Sequence, residues 1–403
     1  MFKGLLFLSI IMATFAADTE LQFWHIQNKS PTKEVIAASI KRFEKDNPGI
    51  KIKETAYKND AFKLKLKTAM HAGKAPDVFH SWGGGVLKEQ YKAGFVLPLD
   101  KLYTDAYKKR FLKAAESFIY IDKKPLLVPV DLSAVFFFYN KALFAKHGLK
   151  PPKTKAELNT LCEKLKSKKL QAIALGNKDK WPGAFFYGYE LLCNASEKDL
   201  ADAGQLKKGV FLSPAFIAAG NGLLEYARKK QFSIGFQGMD YDAAQRLLFK
   251  GRAGMMLMGT WLIASAQSKA ADFYKNIGCF PYPGAKGLIG GVNCAFAVNA
   301  KTKHAKEALK FLSYLSDEKF AAAWARTGRI PATQGAKDGD FAAITKEAFG
   351  HIEKAAYIQL YLDQYFPAAI GEIHKDTSQA LSSGKTTAKD VSAALEKAAE
   401  KLR

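Results

Sequence analysis

The sequence predicts an α/β protein of two lobes joined by several crossings of the chain. Three observations carry that prediction. Strand and helix patterns alternate through about eighty residues near the start, which means a parallel sheet covered by helices. A very apolar strand, Val135 to Tyr139, then follows two prolines and Asp131, and reads as a central strand buried on both faces. Irregular stretches near residues 130, 291 and 330 interrupt the pattern with no low-complexity linker, so the lobes share segments instead of following one another.

The elements follow in order. LQFWHI alternates and is aromatic, a strand. Ser30-Pro31 starts a helix, with Ser as N-cap and Pro at the first helical position. Val35, Ile36, Ile40 and Phe43 repeat at helical spacing, and Asn47-Pro48-Gly49 stops the run. IKIKET is a second strand with Ile50 and Ile52 on one face. Phe62 to His71 is a helix ended by Gly73. DVFHSW is a third strand, and a third helix runs on to Gly94. GLKPPKTKAEL is a Pro-rich loop, and Thr154 caps the helix after it. Helical patterns dominate to Ser268. CFPYPGAKGLIGGVNCAFAVN holds two more strands, and Lys303 to Trp324 is helical. TGRIPAT is an extended connector, and the tail from Ala368 to Leu402 is helical and charged.

Of the 403 residues, 48% are hydrophobic and 25% charged, which supplies a sizeable core and excludes a disordered chain. MFKGLLFLSIIMATFA has one Lys, an apolar run and then small residues, the pattern of a secretory signal over residues 1–17. The run is too short to span a bilayer, and no Cys follows it to carry a lipid, so the mature protein is expected to be soluble and exported. The formal charge of +23 comes mainly from lysines on exposed helix faces, as in KLKLKTAMHAGK. A solvated surface explains them, and an anionic cell surface or ligand is the sharper reading. No zinc finger, basic region with heptads or aromatic RNA-binding signature is present, so no nucleic-acid partner is expected. Cys162, Cys193, Cys279 and Cys294 allow three disulfide pairings in an oxidising compartment, Cys279 and Cys294 flanking a turn. Buried free thiols fit as well.

The stretch DVFHSWGGGVLKEQ has the strand, glycine loop and helix of a phosphate cradle. It lacks the Gly-Lys-Ser/Thr of a Walker loop, and Lys88 stands where a dinucleotide fingerprint needs Gly. What remains is a strand-end loop carrying Ser81 and Trp82, suited to a neutral, hydroxyl-rich ligand; the alternative is a tight turn with Trp82 in the core. Of five tryptophans, Trp24 (beside His25), Trp82, Trp181 and Trp261 sit at strand ends or in loops near Gly, Pro or small polar residues. An indole matches the apolar face of a sugar, and nearby polar groups match its edges. Trp324, within AAAWARTGR, reads as core. No GxSxG, HExxH or Cys–His arrangement marks an enzyme. The seven histidines form no i,i+4 pair, and no cofactor or metal is expected. Asp77, Asp131, Glu190, Asp240 and Asp242 lie near aromatic segments; two could flank a glycosidic bond, or all could hydrogen-bond sugar hydroxyls.

Five segments in order carry a resemblance: APDVF with QYKAGFVLPLD, FFFYNKALFAKHGLKPPKTKAEL, FKGRAGMMLMGTWLIAS, GLIGGVNCAFAVN and GRIPA. Together they resemble bacterial extracellular solute-binding protein family 1, the maltose-binding-protein-like carbohydrate receptors of ABC importers, over nearly the whole mature chain. One departure stands out: Lys155 occupies a position where the family often has Trp. The resemblance implies a class II-like periplasmic-binding-protein fold with a hinged cleft. Its lobes would be residues 18–130 plus 291–329 and residues 131–290 plus 330–403. It implies a monomer that carries a sugar or oligosaccharide to ABC permease subunits from the periplasm, with no catalysis. By motif, Trp261 and Trp181 would stack on sugar from one lobe, and Trp82 and Ser81 would face them. Asp131, Asn293 and Gly291 would form the cleft floor, Arg329 would lie near a third crossing, and Tyr365 with Phe366 would be a late cleft aromatic pair. Remaining alternatives are an iron, glycerol-phosphate or other anion binder, a receptor feeding a sensor kinase, and a secreted glycan-cleaving enzyme.

Overall fold

The computed structural model describes residues 19–334 and 341–403; the expected signal segment, 1–17, lies outside the described residues. The strands are β1 (Thr19–His25), β2 (Ile50–Ala56), β3 (Val78–Ser81), β4 (Tyr120–Ile121), β5 (Lys124–Pro125), β6 (Val128–Asn140), β7 (Gln171–Ile173), β8 (Ala253–Gly259), β9 (Ile277–Phe280), β10 (Leu288–Val298), β11 (Ile330–Pro331) and β12 (Ile358–Gln359). β1 lies between β2 and β3, both parallel to it, as the strand–helix alternation requires. β7 and β8 are parallel at the other end. The strand order is β2-β1-β3-β10-β6-β8-β7, with antiparallel pairing at β3–β10, β10–β6 and β6–β8. The sheet is therefore mixed, parallel in each flank and antiparallel where the chain crosses.

β6 makes that crossing. From Val128 to Tyr139 every residue is buried, which is why its sequence is almost continuously apolar. Residues 128–134 pair with β10, and residues 135–139 pair with β8. One strand thus belongs to two lobes. β10 returns beside it, and β11 adds a short third segment against Leu132 and Asp131. Helices cover both faces and complete a continuous core that includes Phe23, Phe136, Phe137, Tyr189 and Trp324. Among the described residues no helix is long and apolar enough to cross a membrane.

Several local expectations change. The first helix is Thr32–Asp46; Pro31 takes the cap position after a cis Ser30–Pro31 bond, and Ser30 Oγ donates to Glu34 instead of capping. The run from Lys303 to Trp324 is two helices, Ala305–Tyr314 and Glu318–Ala325, because Asp317 accepts the Phe320 N–H at 2.8 Å and starts the second. The tail is likewise two helices, Ala368–Ser382 and Ala388–Glu400, separated by Gly384 at φ 72° and restarted by a capping box of Thr387 and Asp390. Thr154 caps the helix Lys155–Ser167 as expected. All four cysteines are free thiols; Cys279 and Cys294 lie on β9 and β10, which pair with different parts of β6.

The departure at Lys155 has a structural answer. Its ammonium reaches Glu190, Tyr226 Oη at 3.1 Å and Tyr282 Oη at 3.0 Å. Glu190 is nearly fully buried, and the lysine gives its charge a partner. Glu190 is thereby spent inside one lobe and is not a cleft acid. Asp77 is spent likewise, accepting the Gln22 N–H at 2.8 Å and the Thr302 hydroxyl.

His374, on the helix Ala368–Ser382, packs against Tyr187 and Phe366. Burial pushes its imidazole down to about 4. The unfolded chain protonates first, near the ordinary value of about 6.5. Stability is therefore full above that value and falls as pH drops through the folded value. In urea unfolding across pH, His374→Gln is expected to flatten the loss of stability between about pH 6.5 and 4 by up to roughly 3 kcal/mol. Superimposable pH profiles would remove His374 from this account.

Candidate functional site

A cleft of about 450 Å³ opens between the lobes, within the usual size range of small-ligand sites. Its wall is aromatic. Trp181 is the first residue of the helix Trp181–Asn194, and Phe185 stands one turn further along the same face. Trp261 begins the helix Trp261–Lys269 directly after β8. Its indole folds back over the strand end, where a Cβ on Gly259 would lie 2.1 Å from the ring; glycine there is what admits the indole. Trp181 and Trp261 centroids are 6.2 Å apart, Phe185 and Trp261 6.2 Å, Trp181 and Tyr241 5.4 Å, and Trp261 and Tyr361 6.0 Å. The five rings make one continuous apolar surface, mostly edge-to-face. Trp82 lines the opposite side, with its edge against His80 and Phe62 and the Lys63 ammonium 4.9 Å from its centroid.

The floor is made by the crossings. The β10–β6 ladder is irregular on both sides of Cys294 and leaves Asn293 out of register. A bulge re-aims a side chain, and Asn293 lines the cleft. Arg329, just before β11, lines it from the third crossing. Its guanidinium is held from beneath by Asp131 at 3.1 Å. Asp131 is fully buried and also accepts from Trp324 Nε1 at 3.1 Å and the Cys294 N–H at 2.8 Å. Burial pushes the Asp131 carboxyl above its usual range, and Arg329, Trp324 and Cys294 offset only part of the rise.

Charged side chains at the rim meet across the gap. Lys29 pairs with Asp242 at 2.5 Å and Lys63 with Asp363 at 3.2 Å. Burial pushes Asp242 and Asp363 up, yet Lys29 with Lys269, and Lys63 with Lys375, outweigh it and hold both carboxyls below the usual range. Asp60 goes the other way: burial pushes it up, and Asp179 adds to the rise against Lys63. The lining basic groups are Lys29, Lys58, Lys63, Lys178 and Arg329; the acidic ones are Asp60, Asp179, Asp240, Asp242 and Asp363. They cancel in formal charge, despite the basicity of the chain as a whole.

Of the residues singled out in the sequence, Trp261, Trp181, Trp82, Asn293, Arg329, Asp240 and Asp242 converge on the cleft. The others do not line it. Asp131 lies beneath Arg329, out of reach. Gly291 is at φ 134° and packed by Leu360 and Phe118. Ser81 is buried and accepts the Gly83 N–H at 3.4 Å. The glycine loop after it is no open cradle, because Gly84 and Gly85 pack against the backbone of residues 364–366. Trp24 lies against Tyr57. His25 is fully buried, with Nε2 3.0 Å from Glu54 and Nδ1 accepting the Gln27 N–H, so it shapes the lining loop without touching the cleft. Tyr365 donates to Leu200 O at 3.2 Å, and Phe366 is sealed against Phe211. The same segment reaches the cleft one turn earlier, through Tyr361, Asp363 and Gln364. Phe185, Tyr241, Asp60 and Lys63 were also missed; the i,i+4 spacing from Trp181 was the available signal for Phe185.

Two α/β lobes that share their central strands and enclose an aromatic-walled cleft define a two-lobed ligand-binding protein. The model of the bacterial extracellular solute-binding protein family matches residues 26–322, and the chain belongs to that family. An uncharacterized ABC transporter extracellular-binding protein of Pyrococcus horikoshii is 30% identical over 315 residues, 73% of this chain and 67% of that protein. The multiple sugar-binding protein of Streptococcus mutans is 28% identical over 318 residues, 75% of this chain and 73% of its own. Among solved structures, a protein from a study of xylan utilization by Caldanaerobius polysaccharolyticus matches with a TM-score of 0.88 at 28% identity, covering 94% of this chain and 99% of that one.

Arg329→Met leaves the Asp131 carboxylate buried without its ion partner, and is expected to cost about 3 kcal/mol or more in denaturant unfolding. Adding Asp131→Asn should recover part of that loss. Strictly additive losses would show that the pair is not coupled.

Proposed function

We propose that the chain is the exported receptor of an ABC importer, taking a neutral sugar or oligosaccharide into this cleft and handing it to the permease subunits without chemical change. The observation that carries the reading is the five-ring wall combined with a lining whose charges cancel. Trp261 and Trp181 offer flat apolar faces to sugar rings. Asn293, Gln364 and Asp60 meet hydroxyls at the edges. Arg329 lines the cleft and offers its guanidinium to a ligand oxygen. An anionic ligand, glycerol phosphate included, fits less well, because Lys29, Lys63 and Arg329 already face carboxylates.

Residues 18–130 with 291–329 would move against residues 131–290 with 330–403, bending where β6, β10 and the segment before β11 cross. Ligand contacts to both sides would stabilise the closed form, and the permease would read the closure. The leader, residues 1–17, would direct the chain to the periplasm, where it acts as a monomer.

A thermal-shift screen separates the ligand classes. A neutral saccharide at a hundred times its Kd is expected to add about 2.7 kcal/mol of stability, about 3 °C for a chain of this size. Uronic acids and sugar phosphates should do less. Trp261→Ala should weaken the best sugar about tenfold, near 1.4 kcal/mol, with the fold intact. Mass spectrometry should return the sugar uncleaved. A response confined to phosphates or metals, or cleaved products, would overturn the proposal.

A further inference from the structure

Away from the cleft, a second group of side chains converges. β9 carries Cys279. The helix Ala343–Lys354 packs on it and presents Glu347 and His351 one turn apart. The Cys279 thiol, a Glu347 carboxylate oxygen and a His351 ring nitrogen all lie within 4.8 Å of one another. None of the three lines the cleft. We propose that Cys279, Glu347 and His351 form a binding site for a borderline-soft divalent cation, zinc above all, that ties this helix to β9.

The donor set is the first argument. One thiolate, one imidazole and one carboxylate are ligands zinc accepts together, and three protein ligands leave a fourth position for water. Geometry is the second. Bonds of about 2.0–2.3 Å to a four-coordinate zinc place donor atoms roughly 3.3–3.8 Å apart. The present separations therefore need a closure of about 1 Å, within the range of side-chain rotation. Orientation is the third. Glu347 Oε1 accepts the Cys279 N–H at 3.0 Å, so the carboxylate is already tethered beside the thiol. Access is the fourth: Cys279 is buried at the base, while Glu347 and His351 are half-buried above it.

Two features oppose the ion and shape the test. Lys141 donates to Glu347 Oε2 at 2.7 Å; it is half-exposed and flexible, so it can swing into solvent, but its charge competes with a cation. Burial and Glu347 both push the Cys279 thiol up. Binding must therefore release the thiol proton as the sulfur–metal bond forms, with the proton going to buffer. The i,i+4 pair on this helix is Glu–His rather than His–His, and the cysteine is remote in sequence, which hides the group from spacing rules.

The test uses the untagged full chain. Zn2+ is titrated by calorimetry, with melting followed in parallel, and Co2+ reports thiolate ligation through its sulfur-to-metal charge-transfer absorption. The wild type is expected to bind a single Zn2+ with proton release and a raised Tm, and to show the Co2+–thiolate band. Cys279→Ser should abolish the band. His351→Gln, at a half-exposed position that leaves the core intact, should weaken Zn2+ by more than about tenfold. Lys141→Gln should tighten it. Sugar affinity should be the same in all three variants, which checks that they fold and separates this site from the cleft. Absence of Zn2+ binding by the wild type overturns the proposal, as does binding unchanged in His351→Gln or a Co2+ band that survives Cys279→Ser.

Discussion

The buried carboxylate of Asp131 is the constraint on which the rest of the structure depends. It sits on β6, accepts the Cys294 N–H of β10, the Trp324 indole N–H of the helix Glu318–Ala325, and the Arg329 guanidinium at the entrance to β11. β6, β10 and the segment before β11 are where the chain passes between lobes. A carboxylate taken wholly out of water is costly unless it is paired and hydrogen-bonded, and here each partner comes from a different element. Satisfying one charge therefore aligns the crossings, and it aims Arg329 into the cleft. The residue placed on the cleft floor by resemblance acts one layer below it.

The same economy produces the wall. Gly259 lets Trp261 turn back across the end of β8, and the indole then meets Trp181, Phe185 and Tyr361. Asn293 escapes the ladder at an irregularity beside Cys294, the residue whose N–H Asp131 holds. The cleft is thus assembled from strand ends, helix starts and one bulge, where backbone geometry lets side chains leave the packed layers. Lys29–Asp242 and Lys63–Asp363 meet across its mouth. Lys29–Asp242 is partly exposed and so individually weak, whereas Asp363 is mostly buried beside Lys63.

Much of this was legible in the residues. The alternation of strands and helices, the doubly buried β6, the Thr154 cap and the tryptophans beside Gly, Pro and small polar residues are local signals, and local signals survive in a sequence. The failures have physical causes. The resemblance placed Tyr365 and Phe366 in the cleft, but a single turn directs them away from it and presents Tyr361 and Gln364 instead; the phase of a four-residue helix does not carry over with a motif. The three glycines after Trp82 suggested an open loop, yet Gly84 and Gly85 pack closely against residues 364–366 and Gly83 against Phe118, contacts between segments far apart in sequence. Asp242 and Lys29 are 213 positions apart, and Lys155 and Glu190 come from two different helices, 35 positions apart. Pairings of that kind belong to tertiary structure, and spacing rules do not reach them.

The central claim is that three indoles face a ligand in the cleft while the others do not. Fluorine NMR of protein labelled with 5-fluorotryptophan tests it directly, with each resonance assigned by a Trp→Phe variant and followed as saccharide is added. The account predicts that Trp181, Trp261 and Trp82 shift on binding, while Trp324, buried against Asp131, and Trp24, packed on Tyr57, hold their positions. Saturable sugar binding that moves Trp24 or Trp324 and leaves Trp181 and Trp261 unmoved would contradict it.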